Sequence, residues 1–199
     1  MTAAQIPPQP QTIRLETQNY IVRTAEPTDA TEAWCRWLLD PTAVRQLNAR
    51  PTAMTMEQLT AYIKRFDRVT GHLLGIFEKV SGRIVGIRSI YVDHKTREFV
   101  DNALIGEPDA RERLALREST DALQPFFFED LDLLAARCAI LTSNARMIEF
   151  ILRQRWELAH VEQCAANNGG LPIELRHFRL TRDRWRERER TRAEAQRNA

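Results

Sequence analysis

No stretch of this 199-residue sequence is apolar for long enough to cross a bilayer, which excludes a helical membrane span. Met1–Gln11 has neither a basic start nor an apolar run, so a secretory leader is not expected; its Pro/Gln bias reads as a flexible lead. Only three cysteines occur, Cys35, Cys138 and Cys164, too few and too widely spaced for a disulfide framework. They read as buried, inert thiols of a cytoplasmic protein. Four histidines (His72, His94, His160, His177) show no HExxH or paired-ligand spacing, so no metal is expected. A net charge of +2 gives no general attraction to nucleic acid or membrane. Glycine is missing where a phosphate-binding loop would need it: Ile105–Glu118 holds only Gly106.

What is present is a regular alternation of strand and helix signals. Asn19–Ala25 is rich in β-formers and ends at Glu26-Pro27. Thr28 or Asp29 is the expected cap of a helix through Trp34, Trp37 and Leu38, stopped by Asp40-Pro41. Residues 41–54 read as loop. Thr55-Met56-Glu57-Gln58 is a capping box for a helix carrying Leu59, Ile63 and Phe66. Strands are expected over Leu73–Val80, Arg83–Val92 and Thr96–Ile105, the first two joined by a tight Ser81-Gly82 turn. One long helix is expected over Asp109–Asp130, kinked or interrupted at Pro125. Ala136–Thr142 is a strand, Asn144–Arg155 a helix, and Trp156–Gln163 and Pro172–Leu180 the last strands, separated by a polar loop over Ala165–Gly170. The order β-α-α-β-β-β-α-β-α-β-β describes one α/β (α+β) domain with antiparallel strands first and a strand–helix–strand crossover after.

This order, with the residues at its corners, resembles the GNAT superfamily of N-acyltransferases, in the branch that acetylates ribosomal-protein N-termini, spermidine and small amines. Ile13-Arg14-Leu15-Glu16-Thr17 with Ile21-Val22-Arg23 is similar to that branch's "LETERLILR" opening, and Leu39-Asp40-Pro41 to its "DPEV". Ile105-Gly106-Glu107-Pro108 resembles the strand end before the donor loop, Phe128–Leu133 resembles "FEELGL", and Ser143–Met147 closing at Arg155-Trp156 resembles the helix from "NxxS" to "KLGF". The resemblance covers about Thr12–Thr181. It implies a mixed, mostly antiparallel sheet of about seven strands with helices on both faces. It also implies acetyl-CoA or another acyl-CoA as co-substrate, with its pantetheine arm between two splayed strands and its pyrophosphate at the next helix start. The donor-binding residues it implies are Leu104, Ile105, Gly106, Arg111, Arg113, Ala115, Arg117 and Asn144. Glu112 and Leu114 stand where the family has its loop glycines. Leu114 crowds the phosphate route, and Glu112 adds a repulsion on the order of 1 kcal/mol or more in a partly desolvated site.

Acyl transfer from a thioester to an amine needs a proton acceptor and stabilisation of the oxyanion. Glu98 and Asp101, on the strand before the loop, are the candidate bases, and Asn144 is a candidate catalytic residue that can equally cap its helix. The acceptor implied is a primary amine of a small molecule or a protein N-terminus. Two alternatives remain open at this point: a catalytically inactive partner or binding protein of the same fold, and a transferase using a carrier-protein or aminoacyl-tRNA donor. Residues 182–199, dense in arginine and glutamate, read as a solvated, partly frayed helix with Asp183/Arg186, Glu187/Arg190 and Glu189/Arg192 pairs, or as an RNA-contacting arm. Edge strands allow a homodimer. No membrane partner is expected.

Overall fold

The computed structural model describes residues 8–47, 49–112, 114–165 and 172–198. Eight strands form one sheet in the order β1-β2-β3-β4-β5-β6-β8-β7. These are β1 (Arg14–Glu16), β2 (Tyr20–Thr24), β3 (Gly71–Glu78), β4 (Ile84–Asp93), β5 (Glu98–Ile105), β6 (Ala135–Leu141), β7 (Glu157–Cys164) and β8 (Ile173–Thr181). β1 is the strand beyond the expected seven; it pairs with β2 through Leu15↔Val22. All neighbours are antiparallel except β5 and β6. The turn into β4 uses Gly82 at φ 68°, where a side chain would be strained.

Helices cover both faces. On one lie α1 (Glu32–Leu39) and α3 (Met56–Ile63), with Trp34, Trp37, Leu59 and Ile63 against Leu73, Phe77, Ile84, Ile87 and Leu104. On the other lie α5 (Ala115–Pro125) and α6 (Ala145–Arg153), over a core of Ile76, Ile90, Phe99, Phe127, Phe128, Ile151 and Phe178. The Thr55/Gln58 capping box forms in both directions at the start of α3. α1 begins later than expected. Pro27–Asp29 forms a 3-10 turn, Asp29 is held by Arg23 at 2.7 Å through both oxygens, and Thr31 caps the helix instead. Residues 41–54 are not all loop, because Pro41 opens the short helix α2 (Pro41–Val44).

The expected long helix over 109–130 is three pieces. A short α4 (Pro108–Glu112) precedes α5, and Leu114 breaks them apart with φ 66° and ψ 16°. Pro125 closes α5, and the chain continues as a π turn over Phe126–Asp130, its Leu131 N–H reaching back five residues to the Phe126 carbonyl. The C-terminal helix α7 (Arg182–Arg197) is exposed over much of its length, including all of 193–197, but one face of it docks on the domain. Trp185 is buried and stacks on Phe128 with centroids 5.2 Å apart. Arg188, also buried, donates to Gln154 and Gln124, and Arg192 to Asp121, Gln154 and Glu189. At the other end Gln11 already bonds to the Arg68 carbonyl at 2.8 Å. The polar loop after β7 falls mostly on residues 166–171, outside the described residues.

Candidate active site: a gap between two parallel strands

β5 and β6 pair through only three residue pairs, Glu98↔Ala135, Phe99↔Ala136 and Val100↔Arg137. Beyond that apex β5 stays fully paired with β4 as far as Ile105, and β6 stays paired with β8 as far as Leu141. The two inner edges therefore diverge around a wedge. Backbone groups along such edges need partners, and an extended amide-bearing ligand supplies them as an added strand does.

The open end of the wedge is built from the turn after β5. The amides of Gly106 and Glu107 both donate to the Val85 carbonyl, at 3.0 and 3.1 Å. The Trp37 ring lies so close to Gly106 that an added Cβ would sit 1.9 Å from it, and its Nε1 donates to Glu107 at 2.9 Å. Arg83 braces Glu107 and Asp109. Arg111 folds back and donates to the carbonyls of Ile105 (2.7 Å) and Gly106 (3.1 Å). Leu114 then takes the left-handed backbone that glycine adopts without strain, with its side chain 53 % exposed rather than plugging the wedge. α5 starts behind it with no side-chain cap. A helix start presents unbonded amides and the positive end of its dipole, a ready site for an anion. Ala115 is buried at that start and Arg117, in the same first turn, is exposed. Arg113 and the side chain of Glu112 lie outside the described residues.

The three expected catalytic residues do not converge. Side-chain alternation puts Glu98 and Asp101 on opposite faces of β5. Glu98 is held at the apex by Arg137 (3.1 Å) and Arg179 (2.9 Å). Asp101 forms a bidentate pair with the buried Arg88 of β4. Both carboxylates are thus engaged in ion pairs with arginines, and neither is left unpartnered beside the wedge. Asn144 accepts the Met147 amide at 3.3 Å and caps α6, where that helix leaves β6.

Arg88 is the residue that sequence reasoning missed; its one signal was a lone charge inside an apolar strand. Its Nη1 donates to the hydroxyls of Ser119 and Thr120, both at 3.1 Å. Those hydroxyls donate in turn to the Leu116 carbonyl in the first turn of α5. The network pins the start of α5 to β4 and β5. Glu118 adds a second tie, accepting from Thr17 and from the backbone and side chain of Asn19. Cys138, on β6 just past the apex, has its thiol pushed up by burial, with Asp101 adding to the effect, and stays protonated and unreactive.

On the α1/α3 side, Tyr91 of β4 pairs with Val100, the last paired residue of the apex. Beside it a pocket of about 250 Å³ is lined by Tyr62, Phe66, Asp67, Thr70 and Tyr91, among others. Burial alone would raise the pKa of Asp67. The amides of Gly71, Val69 and Thr70 and the Thr70 hydroxyl outweigh it and hold the carboxyl well below the usual carboxylate range.

A family described as acetyltransferase (GNAT) domain matches residues 19–155. Among solved structures, the chain is similar to the spermidine N-acetyltransferase from Vibrio cholerae in complex with CoA and spermine (TM-score 0.74, 10% identity, 84% of this chain and 98% of that one). It is also similar to a putative ribosomal-protein-serine acetyltransferase from Vibrio cholerae (TM-score 0.64, 17% identity, 87% and 99%). A putative acetyltransferase from T. thermophilus gives a TM-score of 0.73 at 16% identity over 92% and 96%. At these identities the structures speak for the fold alone. No curated protein matches the chain in sequence.

Proposed function

The chain belongs to the GNAT acetyltransferase family, and from that premise we propose that it transfers an acetyl group from acetyl-CoA to a primary amine, of a small molecule or a protein N-terminus. The observation that carries the reading is the wedge itself: two parallel strands that part after three pairs, with an uncapped helix start behind the open end. The inner edges of β5 at Leu104–Gly106 and of β6 suit the amide-bearing pantetheine arm. The first-turn amides from Ala115 to Arg117, with the Arg117 guanidinium, suit the pyrophosphate. Arg111 must leave the Ile105 and Gly106 carbonyls for the arm to use them, and its charge then faces the same phosphates.

In the transfer, the amine nitrogen attacks the thioester carbonyl carbon. The C–N bond forms, the C–S bond breaks, and the thiolate leaves and takes a proton. The ammonium proton passes to water in this reading, because Glu98 and Asp101 are both committed to arginines. Asp101 acts through Arg88 by fixing α5, and Asn144 by fixing the start of α6 at the far lip. The acceptor enters on the α1/α3 side, where the pocket at Tyr91 offers aromatic walls and an ionised carboxylate to a cationic amine. An inactive partner protein is the weaker reading, since Leu114 leaves the wedge open. A tRNA-donor reading has less support from α7, since five of its seven arginines are tied to other segments of the fold.

The test is calorimetric titration of acetyl-CoA, followed by thiol release with spermidine and with a peptide bearing an N-terminal serine. Saturable binding and amine-dependent thiol release are expected. Arg117→Glu should raise the acetyl-CoA KM about tenfold, a loss of about 1.4 kcal/mol, with little change in kcat. No binding by either the natural chain or Leu114→Gly would overturn the reading.

A further inference from the structure

We propose that His160, Glu162 and His177 form a binding site for one divalent transition-metal ion of the zinc class on the outer hairpin β7–β8. Nothing in the linear spacing of these residues marks them as ligands. The strand register does. It sets His160 directly opposite His177, and alternation along β7 brings Glu162 to the same face. A register shift between Leu158 and His160 creates this pairing.

The two imidazoles stack with centroids 4.1 Å apart and planes 12° from parallel. Glu162 Oε2 lies 2.8 Å from His177 Nε2. One ligand atom from each of the three residues lies within 4.8 Å of the others, and among the described residues no other group of this kind occurs. Ligands on a tetrahedral ion with bonds near 2.1 Å stand about 3.4 Å apart, so closure draws the ligand atoms together and turns the stacked rings until their in-plane lone pairs converge on the ion. His160 and Glu162 are exposed and His177 half-buried, which leaves those rotations unhindered.

The donor set selects the ion. Two imidazoles and one carboxylate suit zinc, cobalt or nickel, whereas calcium and magnesium prefer all-oxygen shells. Three protein ligands leave a fourth position for water. The neighbouring cation on this face of β8, Arg179, shares Glu98 with Arg137, so its charge is only partly offset beside the ion. Bound there, the ion ties the outermost strand to β8, the strand that backs β6 and one wall of the wedge. Cys164 lies on the same face but outside the cluster, so thiolate ligation is not part of the site.

The test uses the full chain freed of metal, titrated with zinc by calorimetry and with cobalt by visible absorption. One ion per chain is expected, with four-coordinate cobalt bands free of thiolate charge transfer. A rise in Tm on adding zinc accompanies it. His160→Ala, His177→Ala and Glu162→Gln should each weaken zinc binding by at least the roughly 10- to 100-fold that losing an outer-shell partner costs. Cys164→Ser and His94→Ala should bind as the natural chain does. The site is surface-exposed, and circular dichroism of each variant checks that it folds. Equal zinc affinity in the natural chain and His177→Ala overturns the proposal. So does half an ion per chain, which would place the ligands between two copies. None of these readouts depends on acyl transfer.

Discussion

Leu114 keeps a backbone conformation that suits glycine while exposing half of a leucine side chain to water. For an L-residue that conformation costs about 1–2 kcal/mol, and little burial offsets it here. Leu114→Gly should therefore raise unfolding stability by about 1 kcal/mol in urea titration and tighten acetyl-CoA binding. Equal or lower stability would mean that the side chain packs more than its exposure suggests. The Arg88–Asp101 pair behaves oppositely. Arg88 is 2 % exposed and bonds to Asp101, Ser119 and Thr120 together. Asp101→Asn should destabilise by about 3–5 kcal/mol, because it leaves a buried guanidinium uncompensated. A general-base role for Asp101 predicts instead a large loss of kcat with unchanged stability. Urea unfolding beside kinetics separates the two.

At the scale of elements, α7 draws its stability from tertiary contacts rather than from its own charge pairs. Five of its arginines reach other segments: Arg182 to Asp132, Arg184 to Glu157, Arg186 to Glu129, Arg188 to Gln124 and Gln154, and Arg192 to Asp121. The exposed members of that set contribute little each. Arg188 is different because burial holds it, and burial also pulls its pKa down, partly countered by Glu189. Arg188→Met should cost about 2–4 kcal/mol by stranding Gln124 and Gln154, whereas Arg190→Ala at an exposed position should cost less than about 0.5 kcal/mol. Chemical denaturation of both variants decides. Comparable small losses would return α7 to the status of a surface appendage.

At the scale of the whole molecule, His72 is one source of acid sensitivity, alongside carboxylates such as Asp67 whose pKa is also lowered. His72 sits in β3, 2 % exposed, its ring edge-on to Phe127, and neither ring nitrogen makes a well-formed hydrogen bond among the described residues. Burial pushes its pKa below the ordinary value of 6.5. The unfolded chain therefore binds the proton more readily than the folded one. The resulting stability is fully present above pH 6.5 and is lost as pH falls through and below it. His72→Leu should flatten the decline in unfolding free energy between about pH 7 and pH 5. A decline equal to that of the natural chain would assign acid sensitivity to the carboxylates instead.

Features set by neighbours in sequence were legible without a structure. The Thr55–Gln58 capping box, the Ser81-Gly82 turn and the strand–helix order follow from local periodicity and local hydrogen bonding, and the family resemblance rests on short sequence motifs. The break at Leu114 was not legible, because a leucine gives no sign of a left-handed backbone. The fate of the charged side chains was decided only by tertiary structure. Asp101 meets Arg88 from 13 residues away, Arg88 meets Ser119 across 31, and Glu98 meets Arg179 across 81. A charge in a sequence is the same whether solvent or an arginine answers it. Strand register supplied the arginines, turned two candidate bases into structural anchors and brought His160 to His177. The local pattern of the chain thus determines which elements form, while the order of strands in the sheet determines which side chains meet.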